Sequence, residues 1–282
     1  MGVAVFFAVL GAAILHAGWN ALVKGGSDKL LSMSGVMLGH VPFAVLALCF
    51  VPAPDPASFG YLAAGVALHV GYQFFLLRSY ETGDLTQVYP IARGSAPLIV
   101  TAVSLLVLGV ELRGLELLGV LVIGCGILSL ALVRRADGMR NGSAAMTALV
   151  TGCFIAGYSI IDGLGARAAG SSVGYYAWLS IIGALPFSAY VWKVSPGTFR
   201  DLAGKGRAVF WIGGGASFAA YSIVTWAFTQ APIALVTALR ETSIIFALLI
   251  GVFVLKERLD LAKLASTMMT VLGVVLMRLA RL

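Results

Sequence analysis

Two arginines occupy matching places inside long apolar stretches of the sequence. Arg93 is close to the start of one stretch, and Arg240 is at the corresponding place in a later one. A charged side chain at membrane depth is costly, so it usually faces a cavity or a partner. Because guanidinium is a planar bidentate donor, the two arginines could bind a carboxylate or a phosphate. The alternative is that each pairs with Glu241, Asp162 or backbone carbonyls and only links helices.

Two stretches each present a histidine, an aromatic residue and an amide at positions i, i+3 and i+4, which lie on one helix face. These triads are His16, Trp19 and Asn20, and His69, Tyr72 and Gln73. We interpret both as walls of one polar cavity; hydrogen bonding and packing between helices would also explain them. With further aromatic residues, the candidate substrate-binding residues are Arg93, Arg240, His16, Trp19, Asn20, His69, Tyr72, Gln73, Tyr89, Tyr158, Tyr221 and Trp226.

Two carboxylates and two prolines have other candidate roles. Asp162 and Glu241 are candidates for proton coupling, because burial disfavours a charged carboxylate and promotes proton binding and release. An ion pair with Arg240 is an alternative role for Glu241, and solvation at a helix end is one for Asp162. Pro90 and Pro97 are hinge candidates, since proline removes a helical hydrogen bond. Proline is also common in transmembrane helices, where it often only bends them.

The sequence offers little for metal or covalent chemistry. Zinc needs three or four ligands, whereas the chain has three histidines, and His40 stands apart from any thiolate or carboxylate. We find no nucleophile beside a base and no acidic polyphosphate-binding motif. We therefore expect no metal, no cofactor and no enzyme activity.

These residues belong to a chain of 282 residues that is 60% hydrophobic and 11% charged, with a mean hydropathy of +0.98. A soluble domain has about 25% charged residues, so this chain could not cover a water-facing surface. The net charge of +7 needs no nucleic-acid partner, because lysine and arginine gather at segment ends beside lipid headgroups. We predict an all-α integral membrane protein whose ten segments span 3–23, 31–51, 59–79, 85–109, 114–133, 144–166, 172–192, 208–229, 233–255 and 260–279.

The ten segments divide into two similar halves. Three motifs recur in the same order: Ala17–Asn20 with Ala156–Ser159, Arg93–Ser95 with Arg240–Thr242, and Val110–Leu112 with Lys256–Leu259. We predict a first five-helix repeat at 1–135, a linker at 136–143 and a second repeat at 144–282. An odd number of crossings inverts the second repeat. Two inverted repeats around a central cavity suit alternating access, with a substrate site near the midplane.

The motifs His16–Ala21, Tyr89–Arg93 and Val110–Leu112, with the segment count and the repeat, resemble the EamA type of the drug/metabolite transporter superfamily. The resemblance covers essentially the whole chain. It implies a basket of helices around a central cavity, with the fifth and tenth segments peripheral or at a dimer contact. Members of the family move amino acids, other small metabolites or drugs, often outward, and no prosthetic group is expected.

The sequence therefore predicts a secondary transporter that exports a small polar metabolite, such as an amino acid or a related zwitterionic or anionic solute. We expect a multi-pass protein of the bacterial cytoplasmic membrane, a monomer or homodimer in the lipid bilayer, with proton coupling as one way to drive transport. A lipid or polyprenyl-phosphate flippase is the main alternative, because both arginines would suit a phosphate headgroup. An intramembrane enzyme and a membrane scaffold are the remaining alternatives.

Charge counting and the family resemblance disagree on orientation. Thirteen of the nineteen lysines and arginines lie in odd-numbered loops, whereas four lie in even-numbered loops or at the termini. The positive-inside rule then places the odd-numbered loops in the cytoplasm and both termini outside. The family resemblance implies cytoplasmic termini instead.

Reporter fusions distinguish these two orientations. If loop charge directs insertion, alkaline phosphatase fused after Leu282 is active, because it requires a non-cytoplasmic location, and green fluorescent protein there stays dark. Green fluorescent protein inserted within 136–143 then fluoresces. The opposite pattern at both places would show that the charge count is misleading.

Overall fold

A computed structural model shows how these residues are arranged in space. It describes residues 1–26, 28–82, 85–133, 142–254, 256 and 261–280. Most of the predicted linker, residues 136–141, lies outside the described residues.

Every regular element within the described residues is helical, so the predicted all-α class is confirmed. The first five helices are α1 (Val3–Gly25), α2 (Lys29–Leu48), α3 (Phe59–Thr82), α4 (Leu85–Leu106) and α5 (Gly114–Val133). The following ones are α6 (Gly142–Ala168), α7 (Ser172–Val194), the short α8 (Thr198–Ala203), α9 (Gly214–Gln230), α10 (Ile233–Arg240), α11 (Ser243–Phe253) and α12 (Leu261–Leu279). A π-helical turn at Val209–Gly213 continues into α9.

The length and surface of these helices suit a lipid bilayer. Nine spans in the described part of the chain are long and apolar enough to cross a membrane, and α5 contains a shorter apolar helix at Gly114–Leu130. Large apolar side chains point outward: Phe7 is 64% exposed, Leu106 85% and Phe253 70%. Such a surface would aggregate in water but is stable against lipid tails. The chain is therefore a multi-pass membrane protein.

The predicted ninth segment, 233–255, is not one continuous helix, which corrects the sequence-based expectation. It is interrupted at Glu241 and Thr242, whose amides bond to carbonyls three residues back instead of four, as in a 3₁₀ helix. The Thr242 hydroxyl also donates to the Leu239 carbonyl at 2.7 Å. Neither glycine nor proline marks the interruption, so hydropathy alone could not reveal it.

The helices of the two predicted repeats are interleaved. α3 and α4 both pack on α6, α1 packs on α9 and α11, and α2 packs on α7 and α9. The main apolar core draws on α1, α5, α9 and α10, as shown by the buried side chains of Val9, Ile123, Phe228 and Leu235. A polar side chain from one half can therefore meet one from the other half in the interior.

Glycines permit the closest helix contacts. A Cβ at Gly39 of α2 would meet the carbonyl oxygen of Phe210 in the π-helical turn. A Cβ at Gly119 of α5 would lie 2.6 Å from the carbonyl oxygen of Gly273 in α12. The fifth and tenth segments thus use their small residues to pack on each other within one chain.

Gly119→Ala is expected to destabilise the protein, because the added methyl group has no space between α5 and α12. Overpacking of this kind typically costs about 1–3 kcal/mol. The measurement is the unfolding temperature of the detergent-purified protein. Gly114→Ala, at the start of the same helix, is the matched control, because a Cβ there meets nothing within 4 Å. Equal unfolding temperatures for the two variants would contradict the α5–α12 contact.

Candidate functional site

A buried ion pair connects α4 to the interruption between α10 and α11. The Arg93 Nε lies 2.9 Å from Oε2 of Glu241, and Nη2 of Arg240 lies 3.8 Å from Oε1 of the same carboxylate. All three residues are buried. Neither Glu241 oxygen receives a well-aligned hydrogen bond, so the attraction is mainly between charges. The two matched arginines of the sequence therefore converge on one carboxylate.

Helix α4 is held between α5 and α6 and carries Arg93 into this cluster. Gly94 makes room for α5, because a Cβ there would lie 2.9 Å from the Leu128 amide nitrogen. The helix runs without interruption through Pro90 and Pro97. A hinge role for these prolines stays a prediction.

Arg93 has three further partners, on α1, on α11 and on its own helix α4. Its Nη1 lies 3.3 Å from Nε2 of His16 in α1, and its Nη2 donates to the Ser243 hydroxyl of α11 at 3.3 Å. The guanidinium carbon lies 5.8 Å from the centre of the Tyr89 ring, within the range of cation–π attraction. Since its donors are engaged on several sides, Arg93 acts as a cross-link in the interior.

Arg240 has far fewer partners than Arg93. Its Nε and Nη2 are buried without a hydrogen-bond partner, and Nη2 approaches Glu241 only to 3.8 Å. Buried polar groups in proteins nearly always have a partner. With two guanidinium groups and one carboxylate, the cluster also retains an uncompensated positive charge. Arg240 therefore lacks the hydrogen-bond acceptors that a buried guanidinium normally has.

A second buried cluster surrounds Asp162 of α6, which has no exposed surface. Its Oδ2 lies 2.8 Å from Nε2 of His69 in α3 and accepts a hydrogen bond from the Tyr221 hydroxyl of α9 at 2.8 Å. Its Oδ1 accepts from the Tyr175 hydroxyl of α7 at 3.4 Å. Gly65 of α3 leaves the space, because a Cβ there would lie 2.8 Å from Oδ1. One carboxylate thus connects four helices.

Aromatic rings fill the space beside this second cluster. Tyr158 stacks on His69 with the ring centres 4.2 Å apart. Tyr72 and Tyr221 contact Tyr158 edge-on, with centres 5.6 and 6.1 Å away. Tyr158 also packs with Ala92 of α4, the residue before the α4 arginine. The Tyr158 ring therefore contacts both the Asp162 cluster and the helix that carries the arginine cluster.

The α1 triad only partly faces these clusters. His16 contacts Arg93, and Trp19 packs edge-on against the His16 ring with the centres 5.0 Å apart. The Trp19 Nε1 is buried without a hydrogen-bond partner. The Asn20 amide instead donates to the His16 carbonyl at 2.7 Å, so its hydrogen bond stays within α1.

Some residues differ from the sequence-based expectation. The Gln73 amide lies 3.1 Å from the Met37 sulfur of α2, and Trp226 packs against the main apolar core. Sequence reasoning missed Tyr175 and Ser243. A tyrosine within an apolar segment is a usable signal, because its hydroxyl needs a partner; Ser243 offers no such signal. In the described ranges, no group of three or more His, Cys, Asp or Glu could hold a metal ion.

An all-α multi-pass fold with incompletely compensated charge in its interior is a feature of many membrane transport proteins. Residues 143–279 match the EamA-like transporter family. The second half of the chain therefore belongs to this family, which is part of the drug/metabolite transporter superfamily. The resemblance predicted from the sequence is thus confirmed. The protein is a membrane transporter of small solutes, and members of the family are transporters, not enzymes.

Comparison with solved structures gives the same fold. One crystal structure, described only as "Crystal structure of protein", is similar over 100% of this chain and 99% of its own, with a TM-score of 0.71. The two sequences are 18% identical, so this likeness concerns the fold alone. No curated protein matches the sequence.

Glu241→Gln is expected to destabilise the protein by about 3–5 kcal/mol, because it leaves two buried arginines without a counter-charge. The double variant Arg93→Leu/Glu241→Leu is expected to lose less stability, because it removes the pair together. Unfolding in mixed detergent–SDS micelles measures both free energies. A double variant less stable than Glu241→Gln would contradict the compensating role of Glu241.

Proposed function

We propose that the protein is a secondary transporter that exports a small zwitterionic or anionic metabolite, such as an amino acid, by alternating access. The two inverted repeats, residues 1–135 and 144–282, would expose the site to each side of the membrane in turn. The observation that carries this proposal is the buried guanidinium of Arg240, whose Nε and Nη2 have no hydrogen-bond partner.

A carboxylate is the best chemical match for Arg240. Its Nε and Nη2, which have no hydrogen-bond partner, lie on one edge of the guanidinium, and this edge suits a bidentate contact with two carboxylate oxygens. Arg93 is less available, because its Nε and Nη2 already contact Glu241 and Ser243. A solute carboxylate would also neutralise the positive charge that Glu241 leaves uncompensated.

The second cluster explains why we favour a zwitterion. The arginine cluster is positive, whereas Asp162 supplies a negative charge beside Tyr158 and Tyr221. A solute with a carboxylate and an ammonium group would match both signs, with the ammonium over the tyrosine rings. Half-buried residues of α1 and α3, among them Trp19 and Tyr72, would pack against its apolar part.

Access to Arg240 requires movement of the helices. The residue is only 3% exposed, so the described conformation is closed around it. The interruption between α10 and α11 directly follows Arg240, and interrupted helices are a recurring feature of solute sites in transporters. The enclosed position also favours a soluble solute over a lipid headgroup, which would need an opening toward the bilayer.

The same proposal includes the cellular setting. The apolar outer surface requires a lipid bilayer, and we propose the cytoplasmic membrane of a bacterium, with the protein acting as a monomer or homodimer. We propose export and not uptake because members of the family often move their solutes outward.

Arg240→Ala is expected to lower transport efficiency by about thirtyfold or more, which corresponds to the ~2 kcal/mol lower limit for truncating a buried charge partner. Proteoliposomes and a radiolabelled mixture of amino acids provide the measurement. The transport efficiency of Arg240→Lys is expected to lie between those of the wild type and Arg240→Ala, because lysine keeps the charge but loses the bidentate geometry.

Arg200→Ala is the matched control, because Arg200 is exposed on α8. It is expected to transport like the wild type. Each variant is first checked for a wild-type gel-filtration profile. Wild-type transport by Arg240→Ala would contradict the site, and no transport of any amino acid by the wild type would contradict the proposed solute class.

A further inference from the structure

Asp162 is a buried anion outside the arginine cluster. Its three hydrogen-bond partners are one imidazole and two tyrosine hydroxyls, from His69, Tyr221 and Tyr175. Within the described part of the chain, no lysine or arginine pairs with it. A carboxylate without a permanent counter-cation in such a place is unusual, because an isolated buried charge is unfavourable. Among its direct contacts, the partner that can change charge is His69.

His69 connects the buried carboxylate to accessible space. Its side chain is 17% exposed, whereas that of Asp162 is 0% exposed. The Nε2 atom faces Asp162 at 2.8 Å, so Nδ1 on the other side of the ring is left to exchange a proton. Histidine changes its charge near neutral pH, which makes it suited to gain and lose that proton in each cycle.

Glu241, the other candidate for proton coupling, lies in a very different electrostatic environment. It is next to two guanidinium groups, those of Arg93 and Arg240, and arginine keeps its charge at all physiological pH values. Glu241 therefore has permanent counter-charges beside it. The contrast between the two carboxylates selects Asp162 as the one whose neighbouring counter-charge can change.

We propose that the His69–Asp162 pair is a proton-binding site that couples solute export to proton entry, an inference that rests on the proposed function. A proton from one side of the membrane binds Nδ1 of His69, and the pair changes from a net charge of −1 to 0. After the helices reorient, the same proton leaves Nδ1 on the other side. No bond other than this N–H bond forms or breaks.

Proton and solute exclude each other through charge. With His69 neutral, the negative charge of Asp162 attracts the ammonium group of a zwitterion over the rings of Tyr158 and Tyr221. With His69 protonated, that charge is compensated and an imidazolium repels the ammonium group. The His69 ring stacks directly on that of Tyr158, with the ring centres 4.2 Å apart. Protonation of His69 and binding of the ammonium group therefore take place in the same small volume. Mutual exclusion of this kind produces exchange of a proton for a solute.

The surroundings of the pair support this assignment. The titratable groups that face it are Tyr175 from α7, Tyr221 from α9 and Tyr158 from α6. Beyond them, the Tyr176 ring lies 4.8 Å from that of Tyr221, and the Tyr176 hydroxyl lies 3.5 Å from Nδ1 of His40. The tyrosines are neutral donors, so His69 is the group in contact with Asp162 that can supply a compensating positive charge.

Proton movement per solute is the decisive measurement. Proteoliposomes hold a pH-sensitive dye in a lumen more acidic than the outside, and a radiolabelled mixture of amino acids is added outside. The wild type is expected to accumulate label while the lumen becomes more alkaline. Asp162→Asn and His69→Gln keep the size and hydrogen-bonding ability of the side chains but not their charge chemistry. Both are expected to lose pH-driven accumulation, and any remaining uptake is expected to leave the luminal pH constant.

Tyr175→Phe is the matched control. It removes a hydrogen bond from the same carboxylate without removing a group that titrates near neutral pH, and it is expected to keep the wild-type ratio of protons to solute. Equal loss of that ratio in Tyr175→Phe would show that Asp162 is only a structural link and would overturn the proposal.

Other outcomes are equally decisive. Either charge variant moving protons like the wild type would overturn the proton site. So would a His69→Gln variant with a normal gel-filtration profile but no uptake, because it would assign the imidazole to solute binding. Wild-type uptake without a change in luminal pH refutes the coupling but leaves the proposed function intact, whereas absence of wild-type uptake refutes the proposed function itself.

Discussion

An arginine inside a membrane protein has no bulk water to solvate it, so its counter-charge must come from the protein. Glu241 supplies that charge, and much of the interior depends on where it lies. Because Glu241 follows α10 and contacts Arg93 of α4, the attraction fixes one helix of each half relative to the other. His16 and Ser243 bring α1 and α11 to the same guanidinium. A single carboxylate thus organises four elements around one point.

The charges of the two arginines are only partly compensated by Glu241, so charge is unevenly distributed in the interior. Two arginines share one glutamate, whereas Asp162 has only neutral donors and a titratable imidazole around it. One side of the interior is therefore positive and the other negative, with the Tyr158 ring in contact with both helices concerned. A rigid scaffold would have no use for such an arrangement, because each unpaired buried charge lowers stability. In the transport cycle that we propose, the solute and a proton complete it for part of the cycle.

Interleaving of the helices is what makes this polarity possible. If α1–α5 and α6–α12 formed separate bundles, Arg93 and Glu241 could not meet, nor could His69 and Asp162. Close approach of α2 to α9 and of α5 to α12 depends on glycines at the contacts. The packing of the outer helices and the charge clusters inside are therefore two consequences of one arrangement.

The sequence by itself determined the membrane fold, because the length and hydropathy of a segment are local properties that do not depend on its neighbours. It also identified the matched arginines and the shared face of His16 and Trp19, since helical spacing is local too. Only the tertiary structure decided the pairing: Glu241 follows Arg240 in the chain yet lies closer to Arg93, and Asp162 meets a histidine 93 residues earlier. The interruption of the ninth segment and the position of Gln73 beside Met37 were also visible only in the tertiary structure. The reason is physical, because which charges meet depends on the convergence of distant helices, which no spacing along the chain encodes.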